Sequence, residues 1–247
     1  MLLVRGGPST SAALEIATSH ALMLRVAAGE LPSALRLYRP PPTVAFGKLD
    51  TLRPGFRAAV EAAGRHGYQP VLRMPGGHAA AYHRQSLGID IAYAVADPVP
   101  GTHERFREAG ERLAGALSEL GVDARVGEVP GEYCPGAYSV NARGKVKLIG
   151  TAQRLVRGAA LLGAVIVVRD GAGVREVLRD VYEKLELEWD DATAGSVAEE
   201  VPGVSVLDVE HAVLAAYPDL EYGRLDGDTL ALARQLVSEH RLIASDT

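Results

Sequence analysis

The strongest constraint on the fold is a pair of strand-like runs separated by one tight turn. Residues 152–156 and 159–168 are rich in apolar residues, and only Arg157 and Gly158 lie between them. Strands joined by so short a connection pair antiparallel, whereas parallel strands need a crossover of about a dozen residues or more. The chain therefore contains a β-hairpin, and a doubly wound parallel sheet is disfavoured.

Further short strands alternate with amphipathic helices along the chain. The clearest helix, 102–120, has an apolar stripe that includes Phe106 and Leu113, and it stops at Gly121. Strand groups with helices between them predict an α+β fold, with central, mainly antiparallel sheets flanked by helices. The other predicted strands are 34–39, 43–46, 69–73, 87–93, 124–127, 138–141 and 145–149, and the other predicted helices are 9–29, 54–67, 174–185, 205–216 and 226–241.

The chain length suits one large domain with a small appendage. At 247 residues, 47% of them hydrophobic, the chain can bury one sizeable core. The polar stretch 189–204 contains proline and glycine and is the expected boundary. We therefore predict one domain over residues 1–190, and a short C-terminal helical extension over residues 191–247.

Charge and hydropathy exclude several classes of partner. A formal charge of −5 gives no electrostatic footprint for nucleic acid. No apolar run reaches the length of a membrane span, and the first residues lack the pattern of a signal peptide. A single cysteine cannot form an internal disulfide, which fits a reducing compartment. We expect a cytoplasmic protein that binds neither nucleic acid nor membrane.

That single cysteine, Cys134, lies in a segment that resembles a site more than a core. The run 131–139 contains a Pro-Gly pair, which favours a loop, and functional residues concentrate in loops. A thiol is a nucleophile as its thiolate, and a nearby cation such as Lys147, thirteen residues later, favours that form. The alternative, a small buried hydrophobic residue, remains open from the residues alone.

Two other segments are candidate binding elements. In the run 73–83, Arg73 offers a planar donor to an anion or carbonyl, Gly76 and Gly77 remove side chains, and alanines follow at 79–81. The run Gly150-Thr151-Ala152-Gln153 would present backbone N–H groups to an oxyanion. By itself the first segment is a weak signal, since a strand–turn–strand hairpin with a tolerated arginine also explains it. A plain turn explains the second segment as well. With one cysteine and scattered histidines, no metal site is predicted.

The order of these motifs carries a family resemblance. A strand, an Arg-x-x-Gly-Gly loop, a long helix and a cysteine loop are followed by a Lys-x-x-Gly-x-Ala-Gln run that starts at Lys147. From about residue 9 to residue 185, the chain resembles the biotin/lipoate protein ligase and lipoyl/octanoyl transferase superfamily. Tyr133-Cys134-Pro135-Gly136 is similar to the cysteine-dependent octanoyltransferases, and most like the branch that moves octanoyl from the glycine-cleavage H protein to lipoyl domains.

The resemblance implies an enzyme, an acyltransferase that moves an octanoyl or lipoyl group onto the lysine of a lipoyl domain. Cys134 would form an acyl-thioester, and Lys147 would lower the pKa of that cysteine. The donor would be H protein or acyl carrier protein, with no cofactor. Substrate contacts are implied for Arg73, Gly76, Gly77, His78, Ala79, Gly150, Thr151 and Ala152.

The chain departs from the ligase pattern in two places. His78 stands where ligases commonly have a third glycine, and Tyr82-His83 stands where many have a His-Asp pair. Both departures weaken the first alternative, a lipoate-protein ligase that uses ATP and Mg²⁺ to make a lipoyl-adenylate. A second alternative is a non-catalytic module that holds an acylated carrier and tolerates loss of Cys134 and Lys147.

Overall fold

The computed structural model describes residues 1–6 and 9–242. The strands are β1 (Leu2–Arg5), β2 (Ala34–Tyr38), β3 (Thr43–Phe46), β4 (Gln69–Leu72), β5 (Ala80–Tyr82), β6 (Ser86–Ala94), β7 (Ala124–Val126), β8 (Val140–Ala142), β9 (Val146–Val156), β10 (Ala159–Val167) and β11 (Glu221–Gly223). The α-helices are α1 (Ala12–Ala27), α2 (Phe56–Arg65), α3 (Thr102–Glu119), α4 (Gly171–Lys184), α5 (Val197–Glu200), α6 (Val206–Ala215) and α7 (Gly227–His240).

The strands form two sheets. The large sheet has the order β11-β1-β2-β6-β10-β9-β8-β7, and the small sheet has the order β4-β3-β5. Pairing is antiparallel from β2 through β7, whereas β1 runs parallel to both β2 and β11, and β3 runs parallel to β4. The predicted α+β class with mainly antiparallel sheets is confirmed, and so is the hairpin, in which Val156 pairs with Ala159.

The large sheet separates two packed layers. Alternate residues of β6 and β10, such as Ile89 and Leu162, pack with Leu113 of α3 and Val209 of α6. On the opposite face, Leu161 packs with α1. Because side chains alternate along a strand, the residues next to these core positions face α1 and the small sheet. The candidate site lies in this second layer.

The structure corrects several predicted elements. The runs 145–149 and 152–156 are one continuous strand, β9, so Gly150 and Thr151 lie within a strand rather than in a turn. The predicted strand 138–141 begins only at Val140, opposite an irregularity in the β8–β9 register. The short strands β1, β5 and β11 were missed, because runs of three or four residues are too short to show a reliable alternation.

The C-terminal helices pack on different parts of the domain. Helix α6 contacts α3 and β6, α7 contacts α1 and β4, and β11 extends the large sheet. The boundary predicted at residue 190 stays a prediction, and residues 7–8 and 243–247 of the two predicted domains lie outside the described residues. Among the helices of the described chain, none has the length and apolarity needed to cross a membrane.

Candidate active site

The loop between β7 and β8 holds Cys134 in an unusual backbone conformation. Its φ of 43° is left-handed, which a non-glycine residue adopts at an energetic cost. The Cys134 N–H donates to the Tyr182 hydroxyl at 2.8 Å, and that hydroxyl donates to the Ala79 carbonyl at 2.9 Å. Tyr182 of α4 thus ties the cysteine loop to the start of β5. The thiol is half-buried, unlike a core cysteine.

Lys147 supports this loop from β9. The residue is 2% exposed, and its ammonium donates to the Glu132 carboxylate at 3.0 Å and to the carbonyls of Tyr133 and Cys134 at 3.0 and 2.7 Å. Structure and sequence agree that Lys147 returns to the cysteine loop. These three hydrogen bonds of the ammonium go to oxygen atoms and not to the Cys134 sulfur. The predicted effect of Lys147 on the thiol therefore stays a prediction.

The Glu132 carboxylate accepts hydrogen bonds from several other residues of the cysteine loop. Besides Lys147, its oxygens accept from the Ser139 hydroxyl at 2.6 Å, the Gly136 N–H at 3.0 Å and the Val129 N–H at 3.1 Å. Hydrogen bonds from this many donors offset the free-energy cost of removing a buried carboxylate from water. Glu132 and Lys147 therefore act as one buried ion pair around which the loop is folded.

The cation that touches the sulfur is Arg73. Its Nη2 donates to the His78 carbonyl at 2.7 Å and lies 3.2 Å from the Cys134 Sγ. Burial opposes the charge of the guanidinium, but the adjacent sulfur raises the pKa of Arg73 above the ordinary arginine value. An arginine stays charged at every physiological pH, so it can stabilise a thiolate permanently.

Gly77 makes this contact sterically feasible. Its φ of +93° lies in the region that favours glycine. A Cβ at this position would lie 2.6 Å from the Arg73 Nη2 and 2.8 Å from the Cys134 Sγ. Gly76, by contrast, is exposed, and a Cβ there would meet nothing within 4 Å. Only the second glycine of the pair is required by the geometry.

His78 fastens the same loop to the turn after β3. Its Nδ1 lies 2.8 Å from an Asp50 carboxylate oxygen, and the other oxygen of Asp50 accepts from the Gly47 N–H at 2.8 Å. Asp50 is fully buried. His78, predicted as a substrate contact, is therefore engaged in holding the Arg73 loop in position.

A cavity opens beside the thiol, between the large sheet, α1 and the small sheet. It encloses about 820 Å³ of space free of protein atoms, including its open mouth. Of the predicted site residues, those that line it are Arg73, Cys134, Lys147, Gly150, Thr151 and Ala152. The predicted residues outside its lining are Gly76, Gly77, His78 and Ala79, and their substrate contacts stay predictions. Of the alanines at 79–81, Ala80 and Ala81 line the cavity.

The model of the lipoyl protein ligase A/B catalytic domain matches residues 11–217. This chain belongs to that family. It is 30% identical, over 72% of its length, to an octanoyl-GcvH:protein N-octanoyltransferase of Geobacillus kaustophilus, and the match spans 62% of that relative, less than two thirds. It is 29% identical to the octanoyltransferase LipM of Kyrpidia tusciae, over 93% of this chain and 92% of the relative.

A solved member of the family has the same fold. The crystal structure of a lipoate-protein ligase A bound with ATP superposes with a TM-score of 0.76, over 96% of this chain and 94% of the other. The two sequences are 20% identical, so this likeness concerns the fold alone. Together with the strand order, it confirms the predicted α+β architecture. The predicted family is confirmed by the family match over residues 11–217.

Several residues of this family member's site were not predicted from sequence. Tyr182 lies 48 residues from Cys134 along the chain, and nothing in the sequence around it indicates the contact. Asp50 was missed for the same reason. Glu132 had a signal, since an acidic residue within a cysteine loop is a natural partner for the lysine that returns to it. Within residues 1–6 and 9–242, no group of His, Cys, Asp and Glu is arranged to hold a metal ion.

Proposed function

We propose that this chain is an acyltransferase that moves an octanoyl or lipoyl group onto the lysine of a lipoyl domain through an acyl-thioester on Cys134. The observation that carries the proposal is the half-buried thiol in the cavity wall, with its sulfur 3.2 Å from the Arg73 guanidinium. A fixed cation stabilises the thiolate, which is the reactive form. The names of the two relatives, both octanoyltransferases, agree with this chemistry.

The reaction exchanges one acyl bond for another in two steps. In the first, the Cys134 sulfur attacks the acyl carbonyl carbon; a C–S bond forms, the bond to the donor's lysine nitrogen breaks, and the departing amine takes up a proton. In the second, the neutral amine of the acceptor lysine attacks the thioester; a C–N bond forms, the C–S bond breaks, and the amine loses a proton. The thiolate is restored, so neither ATP nor a metal is required.

The two cations have different tasks in this scheme. Arg73 faces the sulfur and is the counterion of the thiolate before acylation and after release. Lys147 holds the carbonyls of Tyr133 and Cys134 and so keeps the loop in the conformation that presents the thiol. The apolar part of the cavity receives the acyl chain.

The donor and acceptor follow from the relatives. The Geobacillus enzyme is named for transfer from GcvH to protein, and we propose the same donor and a lipoyl-domain acceptor for this chain. Acyl carrier protein is the alternative donor. We place the reaction in the cytoplasm, where a free thiol is kept reduced.

Mass spectrometry of the intact protein tests the proposal. After incubation with octanoylated H protein or octanoyl-acyl carrier protein, the wild type should gain one octanoyl adduct that hydroxylamine removes, and Cys134→Ala should gain none. Added lipoyl domain should discharge the adduct and become octanoylated. Full transfer by Cys134→Ala would contradict the proposal, as would pyrophosphate release from ATP and free lipoate.

The role of Arg73 is tested in the same protein. Because Cys134 is the only cysteine, iodoacetamide alkylation reports on it alone. We expect Arg73→Met to slow alkylation at pH 7 by about tenfold, equivalent to about 1.4 kcal/mol, while Arg73→Lys retains part of the rate because it keeps the charge. An unchanged rate in Arg73→Met would exclude Arg73 as the counterion.

A further inference from the structure

A second group of charged residues lies at the cavity on α1, β2 and β6, outside the cysteine loop. Arg36 of β2 and Asp90 of β6 are paired across the large sheet, with Nη1 and Oδ2 at 3.1 Å. Arg36 also forms an ion pair with Glu15 of α1, and Ser19 donates to Asp90 Oδ2 at 2.6 Å. All four residues are at most 5% exposed. We call Glu15, Ser19, Arg36 and Asp90 the aspartate cluster.

One carboxylate oxygen of this cluster borders the cavity. Both hydrogen bonds to Asp90 given above end on Oδ2. Gly163 lies beside Asp90 on β10, and a Cβ on it would be 3.7 Å from Oδ1 with no other atom beyond its chain neighbours within 4 Å. Asp90, Ser19 and Gly163 all line the cavity. The space above Gly163 is therefore open and ends at Asp90.

The wall at this end is fixed in place. The Arg36 guanidinium lies 4.1 Å from the centre of the Tyr38 ring, in addition to its ion pairs with Glu15 and Asp90. A side chain held from three sides cannot turn away to make room. The other cavity walls include Ile16, Ala45 and Leu161, which suit an acyl chain.

The strand register gives a length scale for the part of the cavity that ends at the aspartate cluster. Lys147 and Gly150 line the cavity from β9, next to the cysteine loop, and β10 separates β9 from β6. Asp90, Gly163 and Ala152 pair in register across β6, β10 and β9, so two strand spacings place Asp90 about 10 Å from Ala152. An extended chain advances about 1.2 Å per bond, so the crossing from Ala152 to Asp90 takes up about eight bonds.

We propose that Asp90, held by Arg36 and Ser19, is the end wall that limits the length of the acyl chain, and that Gly163 keeps the last part of the cavity open. A longer chain would press methylene groups onto a buried carboxylate and displace its polar partners, which is unfavourable. The inference rests on the proposed function, because it takes an acyl chain as the occupant.

Two readouts separate this inference from the proposed transfer. The first is calorimetric binding of free saturated fatty acids, from butanoic to dodecanoic acid, to Cys134→Ala. The second is octanoyl and dodecanoyl thioester formation on the protein with Cys134 intact. Binding depends on the cavity alone, whereas the thioester also needs the chemistry at Cys134.

Gly163→Val is the informative variant, because it places a side chain in open space beside Asp90. We expect octanoic acid to bind about tenfold more weakly or worse, with butanoic acid within about threefold of the unmodified cavity, since one methylene in an apolar pocket is worth at least about tenfold. Gly115→Val, on an exposed face of α3 with no atom within 4 Å of its Cβ, is the matched control and should leave the profile unchanged.

Asp90→Asn tests the charge without changing the shape of the wall. The ratio of dodecanoic to octanoic acid binding should rise several-fold, because a neutral amide tolerates apolar contact better than a carboxylate. A Gly163→Val profile parallel to that of the control, or no binding of any chain, would overturn the inference. If Gly163→Val shifts the fatty-acid binding profile but no thioester forms on the protein with Cys134 intact, the end wall is supported and the transfer mechanism is refuted.

Discussion

The cysteine loop and the aspartate cluster are both built on buried ion pairs, yet they present different atoms to the cavity. Beside Cys134, the Lys147–Glu132 pair holds the cysteine loop, and a separate arginine faces the sulfur. In the aspartate cluster, the Asp90 carboxylate itself lines the cavity, and Arg36 and Glu15 lie behind it. The comparison suggests a division of work: one buried pair positions a reactive atom, and the other closes the cavity.

Breaking the Lys147–Glu132 pair should have the largest effect. Removal of one partner from a buried ion pair leaves an uncompensated charge, which typically costs about 3–5 kcal/mol. We expect Glu132→Leu and Lys147→Met each to lower the free energy of unfolding by about this much in urea titrations. We expect Cys134 alkylation, which Arg73 supports directly, to depend less on this pair than on the guanidinium.

The double variant Glu132→Leu/Lys147→Met is the control for this prediction. It removes both charges at once, so its loss of stability should be well below the sum of the single losses. Additive losses would mean that the two residues stabilise the loop independently. In that case the comparison with the aspartate cluster, where the partners form one network, would no longer hold.

The two adjacent glycines beside Arg73 should differ by a smaller but measurable amount. Gly77→Ala forces a side chain onto the Arg73–Cys134 contact at a left-handed φ, so we expect a loss of about 1–3 kcal/mol in unfolding free energy and slower Cys134 alkylation. Gly76→Ala meets only open space and should stay within about 0.5 kcal/mol of wild type. Equal effects of the two substitutions would show that the close approach of Arg73 to the sulfur is unimportant.

Sequence reasoning reached those parts of the molecule whose determinants are local. The hairpin followed from the two residues between its strands, and Cys134, Lys147 and Arg73 were recognised from loop composition and motif order. The contacts of Tyr182 and Asp90 join residues from separate elements, so they depend on how the elements pack. The sequence predicted that Lys147 returns to the cysteine loop, but it could not indicate that three oxygen acceptors surround the ammonium.

The short strand β11 shows the same limit for the fold. Glu221–Gly223 is largely exposed and has no apolar alternation. It becomes a strand because Leu2–Val4 present a free parallel edge beside it. Local patterns therefore predict a hairpin well, and they predict poorly any strand whose partner is distant in sequence.

The smallest expected effect concerns the pH dependence of the aspartate cluster. Burial, only partly offset by Arg36, raises the pKa of Asp90 above its ordinary value of 3.8. Between pH 3.8 and the raised pKa of Asp90 in the folded protein, the folded state binds more protons at Asp90 than the unfolded state does. Its contribution to stability is therefore present at low pH and is lost as the pH rises through the folded pKa.

Asp90→Asn removes this titration. The unfolding free energy of the wild type, measured from pH 4 to pH 7, should fall relative to that of the variant by up to about 1.4 kcal/mol for each unit of pKa shift. Glu104→Gln, at an exposed helix position with lowered pKa, is a control of opposite sign: its carboxylate stabilises the protein above its ordinary pKa. Parallel curves for wild type and Asp90→Asn would mean that Arg36 fully compensates the buried carboxylate, and the end wall would then be a neutral, salt-bridged surface.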